Sequence, residues 1–146
     1  MSKKYLLLIV LCVIIVVGAL IYAQMPAKEI KVGDSVVETP NGYTILQQSE
    51  HGGIFAKGEN KIAVYENGNS TQDSIKDYAK KHKGDLLKNT TEEIAGVKVY
   101  KFVLKDNSTK QTKIIHLFFD KNSKSYHINI RGDYDDKAIN SIINSL

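Results

Sequence analysis

"KIIHLFFDKNSKSYHINIRGD", Lys113 to Asp133, is the stretch that decides the fold. In its second half Tyr126, Ile128 and Ile130 point one way, and His127, Asn129 and Arg131 the other. In its first half Ile115, Leu117 and Phe119 share one side, and His116 and Phe118 the opposite side. β-Branched and aromatic residues dominate both halves, and the polar Asn122-Ser123 pair between them suits a tight turn. The stretch therefore predicts a hairpin. If it closes on Asn122-Ser123, Phe118 faces His127 and His116 faces Asn129, so His116 and His127 become diagonal neighbours on one sheet face. That face is expected to be the solvent side.

Upstream, "VKVYKFVLKD" reads as another strand, ending in the polar turn Asp106-Asn107-Ser108. "DLLKNTTEEIAG" before it carries no clear pattern. "STQDSIKDYAKKHKG" reads as a helix: Ser70 or Thr71 caps it, Asp73 suits its positive end and Gly84 closes it in a left-handed cap. Ile75, Tyr78, Ala79 and His82 fall on a single narrow face. "GIFAKGENKIAVYEN" has the look of a hairpin turning at Gly58-Glu59-Asn60, and "SVVETPNGYTILQQS" reads as two short strands around Pro40-Asn41-Gly42. The chain closes with "DYDDKAINSIINSL", a helix capped by Asp133 that buries Ile139, Ile142, Ile143 and Leu146. The order is strands, helix, antiparallel meander, helix. It predicts an α+β sandwich, an antiparallel sheet flanked by two amphipathic helices.

The N-terminal end differs in kind. Tyr5 to Ala23 has no charge and no proline, and about 19 such residues reach roughly 28 Å as a helix. This predicts a signal-anchor helix at 1–23 contacting membrane lipid through residues 5–23, a short tether at 24–31 and a domain at 32–146. Lys3 and Lys4 favour a cytoplasmic N-terminus. The domain is then extracytoplasmic in an archaeal or bacterial envelope, or secreted if the leader is cleaved. "LIYAQ" offers Ile21 where a cleavage site wants a small residue, which favours retention. Cys12, the only cysteine, lies within the apolar run and is expected to be buried in lipid, so the domain has no disulfide.

Setting aside Lys3 and Lys4 leaves 18 basic against 16 acidic side chains, a net +2 with the signs interspersed. No basic block suggests a nucleic-acid groove, and Arg131 is the single arginine. Three sequons, at Asn69, Asn89 and Asn107, are candidate N-glycosylation acceptors in or near loops.

The pieces "TPNGYTI", "SIKDYAKKH", "EEIAGVKVYKFVL" and "KSYHINIRGDYDDKAINSIINSL" occur in an order that resembles the PsbP-like family. That family includes a photosystem II extrinsic subunit and bacterial envelope lipoproteins of the DcrB type. The resemblance covers about 32–146 and implies a scaffold used for binding and assembly; it carries no functional residue onto this chain.

Chemistry is sparse. There are four histidines, His51, His82, His116 and His127. His116 and His127, with Asn129 and Arg131 beside them, are the candidate metal or anion ligands, although no carboxylate accompanies them. No nucleophile elbow, phosphate loop or calcium loop is present. Capping explains "DYDD", and Arg131-Gly132-Asp133 is a turn. The sequence calls for no catalytic residue and no cofactor. The leading expectation is a membrane-tethered, non-enzymatic domain with a protein or envelope partner. The alternative is an envelope small-molecule or metal-binding protein using the His116/His127 face.

Overall fold

Period-2 alternation builds most of this chain. The computed structural model describes residues 3–23, 28–105 and 113–146. The elements are α1 (Lys3–Ala23), β1 (Glu29–Val32), β2 (Ser35–Glu38), β3 (Thr44–Ser49), β4 (Gly52–Lys57), β5 (Asn60–Asn67), α2 (Thr71–Lys81), β6 (Leu86–Ile94), β7 (Val97–Lys105), β8 (Lys113–Lys121), β9 (Lys124–Arg131) and α3 (Asp136–Ser145). β3 to β9 form one antiparallel sheet in the order β3-β4-β5-β9-β8-β7-β6, and β1 and β2 form a separate two-stranded sheet.

The expected α+β class is corrected: the chain is mostly β, with 50% strand and 28% helix. Two segments read otherwise are strands. β1 begins at Glu29, inside the stretch assigned to the tether. β6 occupies the patternless "LLKNTTEEI". Its Asn and Glu residues are poor strand formers, and pairing with β7 overrides that preference.

The membrane-spanning helix is also corrected. Among the described residues no helix is long and apolar enough to cross a membrane. α1 is helical over 21 residues, Lys3–Ala23. The single-pass topology, the assigned sides of the membrane and the lipid contact through 5–23 lose their support with it. Cys12 lies exposed on this helix.

The β8–β9 hairpin closes on Asn122 and Ser123, both with positive φ (52° and 63°), the turn geometry that matches strand twist. Its register is the expected one, Phe118 opposite His127 and His116 opposite Asn129. Alternation then gives the sheet two working faces. On one, Val64, Leu117, Phe119, Tyr126, Ile128 and Ile130 meet Ile30, Val32 and Val37 of the small sheet and Ile139, Ile142 and Ile143 of α3 in a single core. Leu146 belongs to the same core and is 4% exposed. On the other face lie Phe102, His116 and Phe118, beneath α2.

Asp135, not Asp133, caps α3, accepting from the Ala138 N–H at 3.0 Å. Asp133 instead donates its own N–H to Asn60 Oδ1 at 3.0 Å. Gly132 makes this crossing feasible: its φ is +93°, and a Cβ there would collide with Asn60 Oδ1. α2 starts as read, with Ser70 Oγ accepting from the Asp73 N–H. It ends at His82 rather than in a left-handed Gly84 cap. The expected turn at 106–108, with its sequon at Asn107, lies outside the described residues.

Candidate functional site

The hairpin register brings His116 and His127 together. Nδ1 of His116 and Nε2 of His127 lie 2.8 Å apart, a hydrogen bond in which one ring N–H donates to the other ring's bare nitrogen. The rings are near parallel, 15° apart in plane. Phe118 stacks on His127 at 4.4 Å. From above, Tyr78 of α2 approaches His116 at 4.6 Å and Phe118 at 5.3 Å, and His82 lies tilted against Tyr78 at 4.4 Å. Three of the four histidines therefore share this layer. His51 sits apart, in the exposed turn between β3 and β4.

The expectation that this face is open to solvent is corrected. His116 is 7% exposed because α2 lies over it. Polar contacts along one end of the helix hold it there. The buried Thr71 hydroxyl donates to Asp120 Oδ1 at 2.6 Å, Asn67 Nδ2 donates to Ser74 Oγ at 2.7 Å, and Gln72 Nε2 donates to the Tyr100 hydroxyl at 3.1 Å. Ser125 Oγ adds a second donor to the same Asp120 oxygen. The sequence signal for this lid was the face Ile75, Tyr78, Ala79, His82, whose histidine and tyrosine match the aromatic, polar strand face below.

Burial sets the chemistry of the pair. It pushes His116 down to about 3, with His127, His82 and Arg131 adding repulsion, and it pushes His127 down to about 4. Both rings are neutral at pH 7, which is what a histidine–histidine hydrogen bond requires. Tyr78 is raised by the same burial. Among the described residues no carboxylate is shown hydrogen-bonded to either imidazole. Among the described residues no group of three or more His, Cys, Asp or Glu side chains is placed to hold a metal ion. The arrangement can lock a lid, and it can take up a proton only in acid.

The open concavities lie elsewhere, around the Pro40-Asn41-Gly42 turn. Tyr43 N–H donates to Pro40 O at 3.0 Å, and Gly42 has a φ of +82°. On one side is a cavity of about 520 Å³ between Lys28, Glu29, Glu38, Thr39 and Tyr43. On the other, about 290 Å³ opens between Asn41, Lys57, Asp135, Lys137 and Ser141. Tyr43 joins the two walls: its hydroxyl donates to Asp135 Oδ2 at 3.3 Å, and Lys57 Nζ lies 5.5 Å from its ring centre. Thr39 Oγ1 is buried and has no hydrogen-bond partner among the described residues. Sequence reading marked only the Pro-Asn-Gly turn here; the walls come from four separate segments.

Of the sequons, Asn69 is exposed before α2, whereas Asn89 is exposed within β6 rather than in a loop. No family model matches the chain, and no curated protein matches it.

Proposed function

We propose that the domain is a non-enzymatic binding or assembly module whose ligand seat is the cleft beside the Pro40-Asn41-Gly42 turn. The observation that carries this reading is Thr39: its buried hydroxyl has no hydrogen-bond partner among the described residues, and the residue lines a 520 Å³ cavity. Buried polar atoms are nearly always hydrogen-bonded, so an orphan in a cavity wall suits a group supplied from outside. Glu29 and Glu38 stand beside Lys28 and the Tyr43 ring. Mixed charge with an aromatic floor fits an extended peptide segment better than a single ion. The resemblance of 32–146 to the PsbP-like scaffold agrees with an assembly role. The histidines contribute no catalysis, since each is occupied by the other.

The test is site-specific photocrosslinking of the full chain in its native cells, with the probe at Asn41 or at Lys80 on α2. A discrete partner is expected at Asn41 only, with its yield lowered several-fold by Thr39→Val, which keeps the shape and removes the hydroxyl. Equal labelling at both positions, or no effect of Thr39→Val, rejects this seat.

A second reading, metal or small-molecule binding at His116 and His127, rests on the 2.8 Å approach of two ring nitrogens with His82 nearby. Zinc and copper titrations of the full chain, against His116→Ala with His127→Ala, decide it. Absence of binding at micromolar metal ends that reading.

A further inference from the structure

We propose that β6 is a dimerisation edge, pairing antiparallel with β6 of a second copy about Thr90 and continuing the sheet through both chains. This surface is separate from the Pro40 cleft, and the two readings stand or fall independently.

β6 and β3 end the seven-stranded sheet, so each leaves one row of backbone N–H and C=O groups without strand partners. The two edges are not equivalent. β3 is six residues long, breaks register between Ile45 and Gln47, and is flanked by the β1–β2 hairpin. A mid-strand bulge of this kind blunts an edge. β6 is nine residues long, and its one register shift falls at its start, between Leu86 and Lys88. From Lys88 to Ile94 the pairing with β7 is regular, which leaves a straight outer edge.

The sequence of that edge is complementary to itself. A two-fold axis perpendicular to the sheet keeps each side chain on its own face, so residues directly opposite must belong to the same face. Lys88, Thr90 and Glu92 share one face, in register with Val103, Lys101 and Val99 of β7. Centring the axis on Thr90 sets Lys88 of each copy against Glu92 of the other, two opposite-charge pairs flanking a Thr–Thr pair. Centring on Lys88 or Glu92 sets like charges face to face. Centring on Asn89 or Thr91 gives no charge pair. One register is thus favoured and its neighbours are not.

The local contacts agree. Lys88 is exposed and forms no ion pair among the described residues. Glu92 is already oriented along the edge by the Lys101 ammonium at 3.4 Å and by the Thr90 hydroxyl, which donates to Oε1 at 3.4 Å. Glu92 keeps 37% of its side chain exposed and so has room for a second cation. Asn89 would lie opposite Thr91 of the second copy, so a glycan at that sequon would block the edge.

The test uses the full chain, made without glycosylation and kept in mild non-ionic detergent so that exposed α1 does not dominate association. In a Cys12→Ser background, Thr90→Cys is expected to form a covalent dimer under mild oxidation. Thr91→Cys, which has no copy of itself opposite, is expected to give at least about tenfold less. Lys88→Glu or Glu92→Lys alone should weaken dimerisation about tenfold or more, since each replaces two attractions with two repulsions. Mixing the two variants should recover the dimer as a heterodimer with both charge pairs restored. A Thr90→Cys chain that stays uncrosslinked overturns the proposal. So does equal crosslinking at positions 90 and 91, or a mixture that fails to recover.

Discussion

The two faces of the seven-stranded sheet are built from the same strands and held by different forces. Toward α3 and the β1–β2 hairpin, Phe119, Tyr126, Ile128 and Ile130 meet only apolar partners and are essentially unexposed. Toward α2, the neighbours of those residues are Phe118, His127 and Asn129, covered by a tyrosine and tied down through Thr71, Ser74 and Gln72. The first face gains from area removed from water, which is insensitive to pH and forgiving in geometry. The second depends on hydrogen bonds, among them the neutral His116–His127 pair and the Thr71–Asp120 bond, which fail if one partner is removed or changes charge. α2 is therefore the conditional layer of this molecule and α3 the unconditional one.

That contrast can be broken most severely from the apolar side. Phe119→Ala should cost about 3–5 kcal/mol of global stability in denaturant unfolding, with the loss unchanged between pH 7 and pH 5. A loss confined to α2 in hydrogen exchange would show that the faces had been misassigned.

Acid should act on the other face. His116 and His127 have folded values of about 3 and about 4, both below the ordinary 6.5. From pH 6.5 downward the unfolded chain takes up protons that the folded chain refuses. Stability is therefore full above pH 6.5 and falls as pH drops toward 4, by about 1.4 kcal/mol per unit for each histidine. Thermal unfolding at pH 7, 6 and 5 measures the slope. Replacing both histidines with leucine should flatten it, and an unchanged slope would exonerate the pair.

Smaller changes sharpen the same division. Thr71→Val removes the buried hydroxyl from Asp120 and should cost about 1.5–3 kcal/mol, the range for a bond to a charged group. Its signature is faster amide exchange in α2 while α3 stays protected. Asp135→Ala removes the α3 cap and the acceptor of the Tyr43 hydroxyl, for about 1 kcal/mol by the same unfolding assay. The loss should appear around α3 and the Pro40 turn, with α2 exchange unaffected.

Much of the scaffold was legible because local signals agreed with tertiary demands. The Asn122-Ser123 turn, the alternation around it and the helix register at Ile139, Ile142 and Ile143 all point to the same packing. β6 was not legible, since "LLKNTTEEI" has neither strand composition nor alternation and becomes a strand only because β7 offers it partners. β1 does alternate, with Ile30 and Val32 buried and Glu29 and Lys31 exposed, but four residues were too short a run to stand out in a tether-like stretch. The cap of α3 moved from Asp133 to Asp135 because Gly132 and Asn60 draw Asp133 into a turn. The lipid-spanning reading of the N-terminus came from the uncharged, apolar composition and length of residues 5–23.

The candidate site divides in the same way. The diagonal contact of His116 and His127 follows from turn and period, both local properties. That the pair is buried, neutral and covered follows from the docking of α2, which no spacing encodes. The cleft at Thr39 is still further from the sequence, since its walls, 28–29 and 38–44, meet only where β1 pairs with β2. Sequence alone determined which side chains lie on which face of each strand, because alternation is a property of the extended backbone. Only the tertiary structure decided what covers each face, because burial depends on segments that meet in space and leave no periodic trace in the chain.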